Sequence, residues 1–205
     1  MDLPNELWYN VFSFLTQRSM SKFSCLWNLH NLSTKEIEFI HCSNDLWFDT
    51  AKKGYIKLKK FLIQNGANLN IQNNYSSTSL QIASIYGHKE YAELLIKAGA
   101  DLNSQDNIGW TALHNASRND YKEIVELLIK AGADLNIQNK YGWTAMHLAS
   151  KFGHEEIIKL LIANGADVSI QNNDGHTVLQ QILSNYSCKD IVELLINAGA
   201  NKSSF

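Results

Sequence analysis

The chain has 205 residues, 18 basic and 20 acidic side chains, a formal charge of −2 and 45% hydrophobic residues. Charges of both signs are interspersed, so no basic footprint for nucleic acid or an anionic membrane is present, and neither partner is expected. No apolar run approaches the roughly 20 residues of a membrane-spanning helix, and three irregularly spaced cysteines suit reduced thiols better than a disulfide framework.

A soluble, cytoplasmic chain is therefore expected, and neither Asp2 nor the ending Asn201-Lys-Ser-Ser-Phe205 fits a lipidation signal. Residues 1–44 stand apart from the remainder. After Leu3-Pro4, the apolar set Leu7, Trp8, Val11, Phe12, Phe14 and Leu15 follows 3.6 periodicity, with Pro4 tolerated in the first turn. Met20, Phe23, Leu26, Trp27 and His30 mark a second helix. Ser33-Thr-Lys-Glu36 reads as a capping box that opens a third helix through Ile37 and Ile40. Three short helices make a small core, so apolar surface should remain exposed. Leu3-Pro-Asn-Glu-Leu7, Val11-Phe-Ser-Phe-Leu15, Met20 with Phe23, and Asp45-Leu-Trp47 together resemble an F-box. The middle departs from that family, whose Val-Cys-x-x-x-Trp becomes Cys25-Leu-Trp27-Asn-Leu29-His30. The resemblance implies that Leu3, Pro4, Leu7, Val11, Phe12, Leu15, Met20 and Phe23 dock on the Skp-family adaptor subunit of an SCF cullin-RING ubiquitin ligase. A helical cap that shields the first flank of the following array is the alternative.

From residue 45 onward the chain repeats. Gly109-Trp-Thr-Ala-Leu-His-Asn-Ala-Ser117 recurs 33 residues later as Gly142-Trp-Thr-Ala-Met-His-Leu-Ala-Ser150, and the same register holds Thr78-Ser-Leu-Gln and Thr177-Val-Leu-Gln. A second phrase keeps the beat: Asn65-Gly-Ala-Asn, Ala98-Gly-Ala-Asp, Ala131-Gly-Ala-Asp, Asn164-Gly-Ala-Asp and Ala198-Gly-Ala-Asn201. Leu113 and Ala116 should face the core from a first helix, and a second helix should bury Ile124, Val125, Leu127 and Leu128. Gly132, like Gly66, Gly99, Gly165 and Gly199, follows the second helix where a left-handed residue is needed. Gly87 and Gly153 serve the turn between helices. Asp120 replaces them in the middle unit, where with Glu123 it could cap the second helix.

Period and the Thr-x-Leu-His phrase resemble the ankyrin repeat. That resemblance implies an all-α ankyrin-repeat solenoid with β-hairpin loops, preceded by the three-helix F-box-like domain. Its units would run 45–73, 74–106, 107–139, 140–172 and 173–205, the first and last being caps. It also implies that Thr111 and His114 staple the turns by hydrogen bonds. Asn70, Asn103 and Asn136 hold the position at which ankyrin repeats resemble substrates of the asparaginyl hydroxylase, although an Asn bonding within a turn is the stronger reading.

No phosphate loop, nucleophile elbow, zincin or Cys-x-x-Cys motif occurs, so no catalytic residue and no cofactor is expected. Cys25, His30, His41 and Cys42 lack the spacing of a zinc site, and no metal is expected. His114 and His147 have no recurring nucleophile or carboxylate beside them. Positions that vary between copies carry the binding signal. The resemblance implies that a target protein meets Tyr75, Ile85, Tyr86, Trp110, Arg118, Asn119, Lys140, Tyr141, Trp143, Lys151, Phe152 and His176. Aromatics beside Arg and Lys have the composition of binding hot spots, and partial packing on a neighbouring turn is the competing role for Trp110 and Trp143. Together the two resemblances imply a substrate adaptor, monomeric outside its complex, that presents a protein for ubiquitination. It is similar to adaptors that intracellular bacteria and large DNA viruses deploy in host cytoplasm. A binding-only ankyrin scaffold or inhibitor is the alternative.

Overall fold

The computed structural model describes residues 60, 63–64, 67–185 and 189–199. The three N-terminal helices expected from the sequence, the Skp-binding set from Leu3 to Phe23, and Gly66 lie outside the described residues. Among the described residues, eight α-helices follow one another in pairs: α1 (Ser79–Tyr86) with α2 (Lys89–Lys97), α3 (Ala112–Arg118) with α4 (Lys122–Lys130), α5 (Ala145–Phe152) with α6 (Glu155–Ala163), and α7 (Val178–Asn185) with α8 (Lys189–Asn197).

Each first helix starts at a threonine for a local reason. Thr111 is extended, and its hydroxyl accepts the His114 N–H while His114 Nδ1 accepts the Thr111 N–H at 3.2 Å. The arrangement is a capping box with an imidazole in place of the usual Glu or Gln, and it satisfies two donors that the helix start leaves open. Thr144 and His147 repeat it, and Gln81 replaces the imidazole beside Thr78. Thr177 likewise donates its N–H to Gln180 Oε1 at 2.8 Å.

Pairs stack because alanine lines the contact. Ala83, Ala116 and Ala149 are fully buried, so α1 packs on α3, α3 on α5, and α5 on α7. The second helices form a parallel layer, α2 on α4, α4 on α6 and α6 on α8. Between the layers lie Leu80, Tyr91 and Leu95, then Leu113, Ile124, Val125 and Leu128, then Met146, Ile157, Ile158 and Leu161. Burying a side chain of this size contributes about 1.5–3 kcal/mol, which a single short helix could not gather alone.

Three expectations are corrected here. Leu127 is half-buried rather than core, as are its equivalents Leu94 and Leu160, and Leu194 is exposed. One residue turns a helix by about 100°, so Leu128 at the seam leaves Leu127 on its flank. Asp120 does adopt the left-handed conformation, with φ 59°. It does not cap α4, whose N-cap Tyr121 has no side-chain cap bond. Its carboxylate instead lies 3.6 Å from His154 Nδ1 in the next unit.

The third correction concerns the β-hairpins. Among the described residues the loops contain one isolated bridge, Gln171 with Thr177, and otherwise turns. Each loop is closed by a bond across itself, as from Asn139 N–H to Trp143 O at 2.9 Å, and is tied along the stack as well: Lys140 N–H donates to Ile108 O at 3.1 Å and Asn173 N–H to Tyr141 O at 3.0 Å. No helix among the described residues is long and apolar enough to cross a membrane.

Candidate functional site

The turn tips and the C-terminal ends of α3 and α5 meet at a cleft of about 370 Å³. Trp110, Asn139, Tyr141 and Trp143 reach it from two successive tips, Asn173 and Asp174 from a third, Arg118 from α3, and Leu148, Lys151 and Phe152 from α5. The cleft therefore belongs to a joint between units.

Tip geometry sets the tryptophans. Asn139 Oδ1 accepts the N–H groups of Tyr141 and Trp143 at 2.9 and 3.0 Å, and Asp106 Oδ1 does the same for Ile108 and Trp110. Gly142 has φ 74°, and a Cβ there would stand 2.6 Å from Asn173 N. Only glycine lets the next tip approach this closely in that conformation. Behind the tips, Gln81 Nε2 donates to Trp110 O at 2.5 Å and His114 Nε2 to Trp143 O at 2.9 Å. His147 Nε2 donates to His176 O at 3.2 Å. The predicted staple is thus a set of bonds between units, each reaching forward from a helix start to the following tip.

Those bonds require neutral imidazoles, with Nε2 protonated and Nδ1 free to accept. Burial pushes the His114 pKa down, and it takes His147 down to about 4. Both histidines are structural.

The cleft mouth is cationic and aromatic. Arg118 Cζ lies 5.3 Å from the Trp110 ring centre and 5.5 Å from that of Phe152. Lys151 Nζ stands 4.3 Å over the Trp143 ring. His154 Nε2 donates to Arg118 O at 2.9 Å, which ties the end of α3 to the following unit. Phe152 stacks on His154 at 6.1 Å. Asp174 is the one carboxylate in the lining.

Of the twelve target-facing residues expected from the sequence, Trp110, Arg118, Tyr141, Trp143, Lys151 and Phe152 line this cleft. Tyr75, Ile85, Tyr86, Asn119, Lys140 and His176 do not line it. Tyr75 and Tyr86 are exposed in the preceding unit, and Ile85 is half-buried there. Asn119 gives its amide donors to Ile85 O and Asn115 O, a structural use. Lys140 is exposed while its carbonyl accepts from Asn173 Nδ2. His176 is exposed, with its carbonyl taken by His147. Trp110 and Trp143 are each half-buried, so each both packs and remains partly open to solvent.

Asn139, Leu148, Asn173 and Asp174 escaped the sequence reading. A signal existed for two of them. Position by position, Tyr75, Ile108, Tyr141 and Asp174 form one tip row, and Ile82, Asn115, Leu148 and Gln181 vary between copies. Asn70, Asn103 and Asn136 accept the N–H groups of Asp101, Asp134 and Asp167 at 2.9, 3.0 and 2.8 Å, so their side chains bond the following unit, while their own N–H groups donate within their turns to Asn68, Asp101 and Asp134. Among the described residues, no group of three or more His, Cys, Asp or Glu is arranged to hold a metal ion.

Paired helices in two layers, bound tip to tip, define a helical-repeat protein. A family model described as ankyrin repeats (3 copies) matches residues 47–139 and 131–205, and the chain belongs to the ankyrin repeat family. Ankyrin arrays are protein–protein interaction modules. No curated protein matches the chain.

Proposed function

We propose that the chain is a non-catalytic substrate adaptor: the cleft between α3 and α5 holds a target protein, and residues 1–44 dock on the Skp-family subunit of an SCF ubiquitin ligase. The observation that carries the binding half is the cleft itself, where four aromatic side chains and two cations converge at the middle of the array. Aromatic and arginine side chains placed centrally tend to dominate interface energy. The ligase half is supported by the F-box-like phrases from Leu3 to Trp47. A monomer in cytoplasm, free of nucleic acid and membrane, suits this role.

Two measurements test the halves separately. Co-expression with a Skp subunit should give co-elution, lost on Leu3→Ala with Pro4→Ala while helical content and melting hold. Equal loss of folding would favour a cap and leave a binding-only scaffold or inhibitor. Trp143→Ala should keep the fold and Skp binding yet lose captured partners from cell lysate. An unchanged partner list after Trp110→Ala and Trp143→Ala together would remove the cleft from the binding surface.

A further inference from the structure

We infer that the cleft reads an acidic peptide segment of the target, one large apolar side chain entering between the tryptophans and a neighbouring Asp or Glu carboxylate meeting Arg118 and Lys151. The inference rests on the binding half of the proposed function and narrows it to a partner chemistry.

Charge is the first ground. Arg118 and Lys151 line the cleft with Asp174 as the single opposing charge, so the mouth is net positive. Among the described residues neither cation has an ion pair, whereas Lys97, Lys122 and Lys159 are each matched to a glutamate. Both sit over rings instead. A guanidinium over an aromatic face keeps its in-plane N–H donors available, and a fork held in place loses less freedom when it grips a carboxylate with two hydrogen bonds. The Arg118 guanidinium is held on two sides, by Trp110 and by Phe152.

Shape is the second. A cleft of about 370 Å³ stands near the lower end of the roughly 300–1,000 Å³ usual for ligand clefts, with room for one large side chain and the acid beside it. The exposed apolar path does not stop at the cleft. Tyr141 lies at its rim, and Ile108 and Tyr75 continue the tip row into the preceding units, exposed by 43% and 74%. A small metabolite would leave that row uncovered, whereas a peptide covers it. Asp174 ends the same row with a charge that repels an acid. The carboxylate therefore belongs on the helix side, over Arg118 and Lys151.

A randomised peptide library displayed on phage, panned against the full chain, tests this. Enriched peptides should share an aromatic or long aliphatic residue close to an Asp or Glu. A synthetic peptide of that consensus with an amidated C-terminus should bind at least about tenfold tighter than its Glu→Gln or Asp→Asn counterpart. Arg118→Gln should abolish that preference, and Arg118→Lys should restore only part of it, with far-UV circular dichroism unchanged in both. A consensus without an acid, equal binding of the acid and amide peptides, a requirement for a free terminal carboxylate, or no enrichment at all would each overturn the inference. If the acid preference fails while Trp143→Ala still strips partners from lysate, the carboxylate reading falls alone. If the partner list is also indifferent to both tryptophans, the binding half of the proposed function falls with it.

Discussion

Replacing His147 by Gln should leave stability at neutral pH nearly unchanged and remove much of the array's sensitivity to mild acid. The exchange is conservative because the array already makes it: Gln81 occupies the same place beside Thr78, accepts the same backbone N–H and donates to the same kind of carbonyl. The histidine differs in being able to take a proton. Unfolded, its imidazole protonates near 6.5; folded, burial, aided by repulsion from His114 and opposed by the bond to His176 O, holds it to about 4. Between those values the unfolded chain binds more protons, so stability falls as pH falls through the window and is unaffected above it. One pKa unit is worth about 1.4 kcal/mol, so the interval amounts to about 3 kcal/mol lost by pH 4. His114 adds a loss of the same sign. Asp101 and Asp167, held low by hydrogen bonds to Ser104 and Ser169, also lose stability in acid, but at lower pH. Urea unfolding followed by circular dichroism at several pH values from 7.5 to about 4.5 isolates the imidazole as the difference between wild type and variant. Parallel curves for the two proteins would refute the argument. So would a loss beyond about 2 kcal/mol at pH 7.5, since the glutamine would then not reproduce the staple.

Leu128→Ala should cost about 2–5 kcal/mol, as for other buried leucines, whereas half-buried Leu127→Ala should cost about 1 kcal/mol; chemical unfolding that ranks them the other way would reverse the phase of α4. Gly142→Ala should cost at least about 2 kcal/mol, because a left-handed alanine adds about 1–2 kcal/mol and its Cβ meets the Asn173 backbone. Gly99→Ala, with nothing within 4 Å, should show the conformational part alone. Asn136→Ala should cost about 0.5–1.5 kcal/mol and speed hydrogen exchange at the Asp167 amide, whose acceptor it removes.

The stack was legible because its causes are local and recur. Threonine three residues before His or Gln is a helix start whatever lies around it, and a small residue at Ala83, Ala116 and Ala149 marks where helices touch. Leu127 was misread because two adjacent leucines are equally apolar, and only the neighbouring helices decide which one meets them. The cleft was half legible. Its aromatic and basic members stood out as departures from the repeat, but Asn139 and Asn173 look like ordinary turn residues, and only the approach of one tip to the next brings them to the cleft. His154 escaped for a related reason: its role depends on the carbonyl of Arg118, 36 residues earlier.

The bonds between units use the same atoms at fixed separations, 29 residues for His114 to Trp143, 31 for Asn103 to Asp134 and 33 for Gln105 to Gln138. Excising 107–139 would therefore bring Gln81 opposite Trp143, Asn103 opposite Asp167 and Gln105 opposite Gln171, each group again finding a partner of the same type. Copy number is easy for such a chain to change. The cleft is not, since no single unit contains it: Arg118 and Trp110 would leave with the excised segment while Trp143, Lys151 and Phe152 remained. A lineage of such arrays can thus gain or lose length without unfolding, yet every change in length at this joint erases one specificity and composes another from residues already present.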